Sequence, residues 1–269
     1  MADTRHAKEY YPAELMAAFL SRDLKDEELG VCGAFSQIPW SACQLARATH
    51  APGLWFICGP SAAMNSSLPR LMWSVSDNRM HEGAEGRITL DGVMDMQGNP
   101  SFIDFGFYGG FQIDRYGNLN MAYIGEQKKP RFRGPGTVGT MATAWLNRVY
   151  LFTHSHTPRL FVEKVDFISG PGFIDGPKGR EKAGSPARSE GPRYIVTPIC
   201  VFDFDEETKQ ARLKSVHPGH TVEEVKAKTG FKPVIPSHVP QTEPPTVEEL
   251  AFLRAFDPDR ILPQLCQTR

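Results

Sequence analysis

Two adjacent glycines, Gly109 and Gly110, follow the apolar stretch Phe102–Phe107 and precede Phe111, Gln112 and an Asp114-Arg-Tyr-Gly-Asn118 turn. A glycine pair at a strand end leaves backbone N–H groups that a ligand can approach closely. Aimed at a carbonyl, such groups hold an oxyanion or polarise a thioester oxygen. Phe111 and Gln112 complete this candidate cradle; the Gln112 amide would either bind the acyl group or tie the loop down. Asp114 and Asn118 suit a structural role, since such side chains cap turns of their own backbone. Further on lies a basic cluster, Lys128, Lys129, Arg131 and Arg133, with Gly134-Pro-Gly136 behind it. Cations beside a glycine loop fit phosphate groups. They fit a solvated surface or a docking face equally well. Arg180, in a second glycine-rich stretch, offers a weaker form of the same chemistry.

Other reactive side chains read as structural. The five cysteines (Cys32, Cys43, Cys58, Cys200 and Cys266) contain no C-x-x-C pair, which suits a reducing compartment rather than a disulfide framework. Cys58 as a nucleophile would need a lowered pKa and access. The sequence gives it no basic neighbour, so a buried thiol is expected. His154 and His156 sit two apart at a strand end but lack a third ligand, so no metal site is expected. His217 and His220 flank a Pro-Gly turn.

The elements that position these residues follow from pattern. Tyr11–Leu20 predicts an amphipathic helix with Pro12 in its first turn. Val31–Ser36 predicts a short strand, and Trp40–Thr49 a helix with Leu45 and Ala46 inward. Leu54–Cys58 is a continuous apolar run ending in Gly59-Pro60, which predicts a strand buried on both faces. Phe102–Phe107, Val149–Thr153, Leu160–Ile168 and Tyr194–Thr197 read as further strands. Gly170–Pro192 reads as a long surface loop. Thr221–Gly230 predicts a helix with Thr221 as N-cap, Glu224 as capping-box partner and Gly230 as its stop. Residues 233–269 comprise a proline-rich connector and a last helix over Thr246–Phe256. Strands alternating with helices predict an α/β fold with an open, mainly parallel sheet and flanking helices, as a single domain over 1–269.

Bulk properties exclude several classes. The chain has 269 residues, with 30 basic against 31 acidic side chains and a formal net charge of -1. That speaks against a nucleic-acid partner held by charge. No stretch reaches 18 apolar residues and the N-terminus lacks an apolar leader core, so no membrane is expected and the location is read as cytoplasmic.

The run Gly109-Gly-Phe-Gln-Ile-Asp-Arg-Tyr-Gly-Asn-Leu-Asn120 resembles the G-G-x-Q-x-D-x-Y-G-N-x-N signature of class I CoA-transferases, β subunits of the glutaconate type above all. Ser169–Glu181 resembles that subunit's long glycine-rich loop. Val201–Asp205, His217–Val225, Thr229-Gly-Phe231 and Thr49-His-Ala-Pro52 agree, in the family's order. The resemblance implies an open fold of the CoA-transferase and sugar-phosphate-isomerase type, and chemistry on acyl-CoA thioesters. It also implies a homologous α subunit, as αβ or α2β2, with the active site between the chains. No cofactor would be permanently bound; coenzyme A would enter as part of the substrate.

True transferases use a β-subunit glutamate that becomes an anhydride and then a glutamyl-CoA thioester. That glutamate stands seven residues after the proline of the Ala-Pro step. Here the position is Gly59, and the nearest acidic residue downstream is Asp77. The catalytic residue is therefore unknown from this chain. Relatives without the glutamate include a ring-opening CoA hydrolase of steroid breakdown, which also has glycine, and a decarboxylase of glutaconyl-type CoA esters, which has cysteine. Cys58 falls one place early for the latter, which in a strand points it to the opposite face. Hydrolysis is the expected chemistry, with transfer, decarboxylation and a non-catalytic CoA-binding subunit as alternatives. A DNA-binding sugar-phosphate sensor of related fold is disfavoured, because no DNA-binding helix pair precedes the domain.

Overall fold

A computed structural model describes residues 5–100 and 102–266, which fall into two compact units. The first takes the chain up to Met96, Phe102–Phe107 and the chain from Glu243. In order it starts α1 (Pro12–Ser21), β1 (Leu29–Cys32), α2 (Gln37–Thr49), β2 (Trp55–Cys58), β3 (Ala63–Met64) and β4 (Gly86–Arg87). Then come α3 (Leu90–Gly98) and β5 (Phe105–Tyr108), which run to the unit's edge. β1 pairs in parallel with both β2 and β5, and the register sets Cys32 opposite Cys58 and Phe107. β3 and β4 extend the sheet antiparallel from β2.

The residue types explain this arrangement. Phe56, Ile57 and Cys58 are fully buried, as a strand covered on both faces requires, while Trp55 at the strand's start is half-exposed. Gly30 on β1 lets the Phe105 ring lie across the strand, where any Cβ would overlap the ring. α1 is buried almost all round, with Ala13, Met16, Ala17, Ala18 and Leu20 at 0% exposure.

The second unit holds Tyr108–Thr242 and the few residues that follow Met96. It contains two hairpins, β6 (Gln112–Ile113) with β7 (Leu119–Asn120), and β8 (Tyr123–Glu126) with β9 (Lys129–Arg133). β10 (Arg148–Phe152), α4 (Gly179–Lys182), β11 (Gly191–Val196), β12 (Cys200–Phe204), β13 (Ala211–Val216) and α5 (Val222–Lys228) follow. β10 and β11 are parallel, and β12 and β13 continue antiparallel. The α/β class and the parallel inner strands are as expected from sequence, with antiparallel strands added on one side of each sheet.

The chain then returns to the first unit as α6 (Val247–Phe256) and α7 (Leu262–Leu265). Trp40 of α2 is fully buried and meets the Phe256 ring edge-on, with centroids 5.2 Å apart. Cutting so large a core side chain to alanine costs about 3–5 kcal/mol. α1 and α6 are also locked reciprocally. Each begins with a capping box, closed by Glu14 and Glu249 respectively. Arg254 of α6 donates to Glu14 at 3.1 Å, and Arg22, the C-cap of α1, donates to Glu249 at 2.9 Å. Among the described residues, no helix is long and apolar enough to cross a membrane.

Three local expectations fail for identifiable reasons. Leu160–Ile168 is not a strand. Its backbone touches Ile113 only at one point, through Leu160 O and Val162 N, while Phe161 and Val165 act as buried anchors. Gly230 is not a left-handed helix stop. Thr229 is extended and its hydroxyl donates to Val225 O at 2.7 Å; Gly230 is required because a Cβ would strike Phe161 O. Thr221 does cap α5, accepting from Glu224 N at 3.1 Å, yet the Glu224 carboxylate turns to His220 and Lys228 instead of closing a box. The stretch Gly170–Pro192 is not a free surface loop either, for Arg180 is buried inside it.

Candidate functional site

In the first unit the position of interest lies at the carboxyl end of β2, the end of parallel strands at which α/β proteins bind ligands. Gly59 is buried, and its N–H donates to Cys32 O at 2.9 Å. The chain then reverses in a tight turn: Ala62 N donates to Cys58 O at 2.8 Å, and Ser61 Oγ to the same carbonyl at 3.0 Å. The backbone at Gly59 lies outside the left-handed region, and an added Cβ would stand 3.0 Å from Cys32 O and 3.7 Å from Val31 Cγ2. Space rather than conformation distinguishes this glycine. Cys58 beside it is fully buried, and burial followed by the neighbouring Cys32 pushes its thiol well above the ordinary range. Cys32 is raised too, first by its hydrogen bond with Cys43 and then by burial. Neutral thiols of this kind are poor nucleophiles. Asp77 does not replace the missing carboxylate. Arg79 donates to it from Nε at 3.0 Å and Nη2 at 2.7 Å, holding its pKa down at about 2.

In the second unit the Gly109–Asn120 run divides sharply. Gly109 and Gly110 are half-buried, and among the described residues neither N–H has a partner within the protein. A Cβ on Gly110 would stand 2.8 Å from Asn120 O and against Leu119, whereas one on Gly109 would meet only Phe152 O at 3.2 Å. From Gln112 onward the side chains are occupied. Gln112 Oε1 accepts from Asn120 Nδ2 at 2.7 Å and Asp166 N at 3.0 Å, and its Nε2 donates to Asp166 Oδ2 at 3.1 Å. Asp114 accepts from Tyr116 N at 2.9 Å and from Asn118 N at 3.1 Å, and burial raises its pKa. Asn118 donates to Ile174 O at 2.8 Å and accepts from Gly172 N at 2.9 Å and Ile174 N at 3.1 Å. The turn is thereby sewn to the glycine-rich stretch. Asp166 and Ser169, which a strand over 160–168 left without a role, complete the stitching; Ser169 Oγ donates to Leu119 O at 3.0 Å and accepts from Met121 N at 2.9 Å.

The basic residues lie close to the glycine pair. Phe111 packs edge-on against Phe132 of β9, centroids 4.9 Å apart, and its ring covers Gly134. This anchors the β8–β9 hairpin beside Gly110, with Lys128, Lys129, Arg131 and Arg133 exposed along it. Arg180 is elsewhere engaged: it donates to Gly172 O at 2.9 Å, Thr143 O at 3.1 Å and Ser189 Oγ at 2.5 Å, and burial lowers its pKa to about 10. The histidines are internal struts. His156 sits between Thr197 Oγ1 at 3.0 Å and Thr229 Oγ1 at 2.9 Å, with its pKa driven by burial to about 3. His217 sits between Thr242 Oγ1 and Thr197 O, both at 2.8 Å, at about 4 for the same reason. His220 pairs with Glu224 at 2.8 Å.

A glycine pair with bare backbone, a basic hairpin held against it and a parallel strand ending in a side-chain-free corner define a protein of acyl-CoA chemistry by type. The chain belongs to the coenzyme A transferase family, whose model matches residues 14–228. It is 32% identical to one of the two kinds of subunit of the 3-oxoadipate CoA-transferase of Pseudomonas knackmussii, over 92% of this chain and 94% of that one. It is 30% identical to the cholesterol ring-cleaving hydrolase IpdB subunit of Mycobacterium tuberculosis, covering 80% and 82% respectively. Among solved structures it is similar to glutaconate coenzyme A-transferase from Acidaminococcus fermentans, with a TM-score of 0.85 at 28% identity over 97% of this chain and 99% of that one. It is likewise similar to Rhodococcus jostii IpdAB, with a TM-score of 0.81 at 25% identity over 97% and 100%.

Proposed function

We propose that this chain, 1–269 as a whole, is the β subunit of a heteromeric enzyme that hydrolyses an acyl-CoA substrate, working with a homologous α subunit. The observation that carries this is Gly59: at the family's nucleophile position there is no side chain, and the adjacent Cys58 is a buried neutral thiol. A glutamyl-CoA intermediate cannot form on glycine. The room left suits an attacking water or a bulky acyl group. Water adds to a carbonyl carbon of the substrate and loses a proton to a carboxylate of the α subunit. The bond to the leaving group then breaks, either C–S of the thioester or a ring C–C bond, and the leaving group takes up the proton. Bare N–H groups at Gly109 and Gly110 would hold the oxygen on which charge develops. Phe111 would seat the basic hairpin, and Lys128, Lys129, Arg131 and Arg133 would meet the CoA phosphates. Gln112 would act by shaping the loop.

Transfer to a carboxylic acid is the second reading, favoured by the extent of the match to the 3-oxoadipate CoA-transferase; it requires a carboxylate from elsewhere. The complex reconstituted with its α subunit separates the two. Free CoA should appear from acyl-CoA without any acceptor acid. Release that strictly requires an acceptor would overturn hydrolysis.

A further inference from the structure

The first unit carries two large rings in solvent next to the strand end that bears Gly59. Phe35 is 72% exposed and Trp73 is 54% exposed. Neither rides on a loose segment. Ala34 O accepts from Ser74 Oγ at 3.0 Å and from Val75 N at 3.2 Å, and the Gln37 amide donates to Trp73 O. Leu71 and Val75, on either side of Trp73, are fully buried. The loop after β1 and the loop 71–77 are therefore sewn together, and each presents one aromatic side chain outward. Cys32, three residues before Phe35, is the residue whose carbonyl holds the Gly59 N–H.

Single exposed apolar side chains are ordinary; two rings fixed side by side by loop stitching are not. Aromatic rings give rigid contact area at small entropic cost, which suits recognition of an apolar body. The charge around them narrows the occupant further. The cation nearest in sequence to these loops, Arg79, spends Nε and Nη2 on Asp77, which leaves it poorly placed to answer a second carboxylate on a substrate. We propose that Phe35 and Trp73 form the rest for the acyl group of the substrate, setting a preference for a hydrocarbon ring over a short or dicarboxylic acyl chain. This rests on the reading that the chain acts on acyl-CoA at the Gly59 corner.

The test uses the complex with its α subunit, as wild type and as Phe35→Ala, Trp73→Ala and the double variant. Cyclohexanecarbonyl-CoA, glutaryl-CoA and acetyl-CoA are the probes, and released CoA is followed. Wild type should prefer cyclohexanecarbonyl-CoA. The double variant should lose at least tenfold in kcat/KM for it while changing less than twofold for acetyl-CoA. An equal fall on all three thioesters overturns the proposal, as does loss of co-purification with the α subunit, which would place the rings at the subunit interface. If wild type releases no CoA from any thioester, hydrolysis fails on its own. Calorimetry then decides the inference: tenfold weaker binding of cyclohexanecarbonyl-CoA by the double variant, with free CoA unchanged, supports it, and unchanged affinity overturns it.

Discussion

The corner at Gly59 and the Gly109–Asn120 run are built on opposite plans. At Gly59 the chain withholds side chains: a glycine, a buried neutral thiol and a backbone hydrogen bond to Cys32 O. From Gln112 to Asn120 it saturates them, so that nearly every polar group is spent inside the fold. Saturation keeps a loop in one geometry, whereas a vacancy decides which chemistry that geometry can serve. Substitutions should therefore separate the two regions, costing stability in the second and altering reaction type in the first.

The largest effect belongs to Asn118→Ala. It leaves Gly172 N, Ile174 N, Ile174 O and part of the Asp114 carboxylate without their partner in a buried place. Several lost buried hydrogen bonds should cost about 3–4 kcal/mol. Urea unfolding should show it; a loss below about 1 kcal/mol would mean that the stitching is incidental.

Acid comes next, again in the second unit. His156 and His217 have folded pKa values of about 3 and about 4, below the ordinary 6.5. The unfolded chain thus takes up protons first. The stability they confer is complete above about pH 6.5 and is lost as pH falls towards the folded values, at roughly 1.4 kcal/mol per pH unit for each histidine. Urea midpoints measured from pH 7.5 down to 5.5 should fall, and His217→Asn should flatten the slope. A flat profile in the parent protein would contradict the buried-strut reading.

The glycine pair gives a smaller and internally controlled effect. Gly110→Ala drives a methyl against Asn120 O and Leu119, an overpacking that should cost about 2 kcal/mol. Gly109→Ala meets one carbonyl at 3.2 Å and should cost under about 1 kcal/mol. Equal losses in thermal or urea unfolding would show that the β6–β7 hairpin yields more easily than its hydrogen bonds imply.

Legibility in the sequence follows the same division. Apolar runs such as Phe56–Cys58 and capped helices such as Val247–Phe256 are readable because their signals are local. So is the vacancy at Gly59, since it requires only counting from Pro52 along a recognised motif. Arg180 is not readable: an arginine between glycines looks solvated until Thr143, Gly172 and Ser189 converge on it from separate parts of the chain. Leu160–Ile168 has a strand's alternation, yet Asp166 and Phe161 serve tertiary contacts that a regular strand could not make. Gly230 has the look of a conformational stop, while its actual constraint is the nearness of Phe161 O. Long-range contact, rather than local propensity, decides each of these.

Gly59 itself should be the cheapest position in either region to change for stability and the most consequential for chemistry. Its backbone is outside the left-handed region, so a side chain incurs no conformational strain there. An added Cβ stands 3.0 Å from Cys32 O, which requires the neighbour to yield by a few tenths of an ångström. Gly59→Ala should therefore cost no more than about 1 kcal/mol in urea unfolding. Gly59→Glu places a carboxylate at the strand end where transferases of this family carry theirs. With the α subunit present, CoA release from acyl-CoA should become acceptor-dependent, and hydroxylamine should trap an acyl adduct on this chain. If Gly59→Glu folds but forms no adduct and releases CoA as the parent does, the position does not face the thioester. The vacancy would then lose its claim to decide between hydrolysis and transfer.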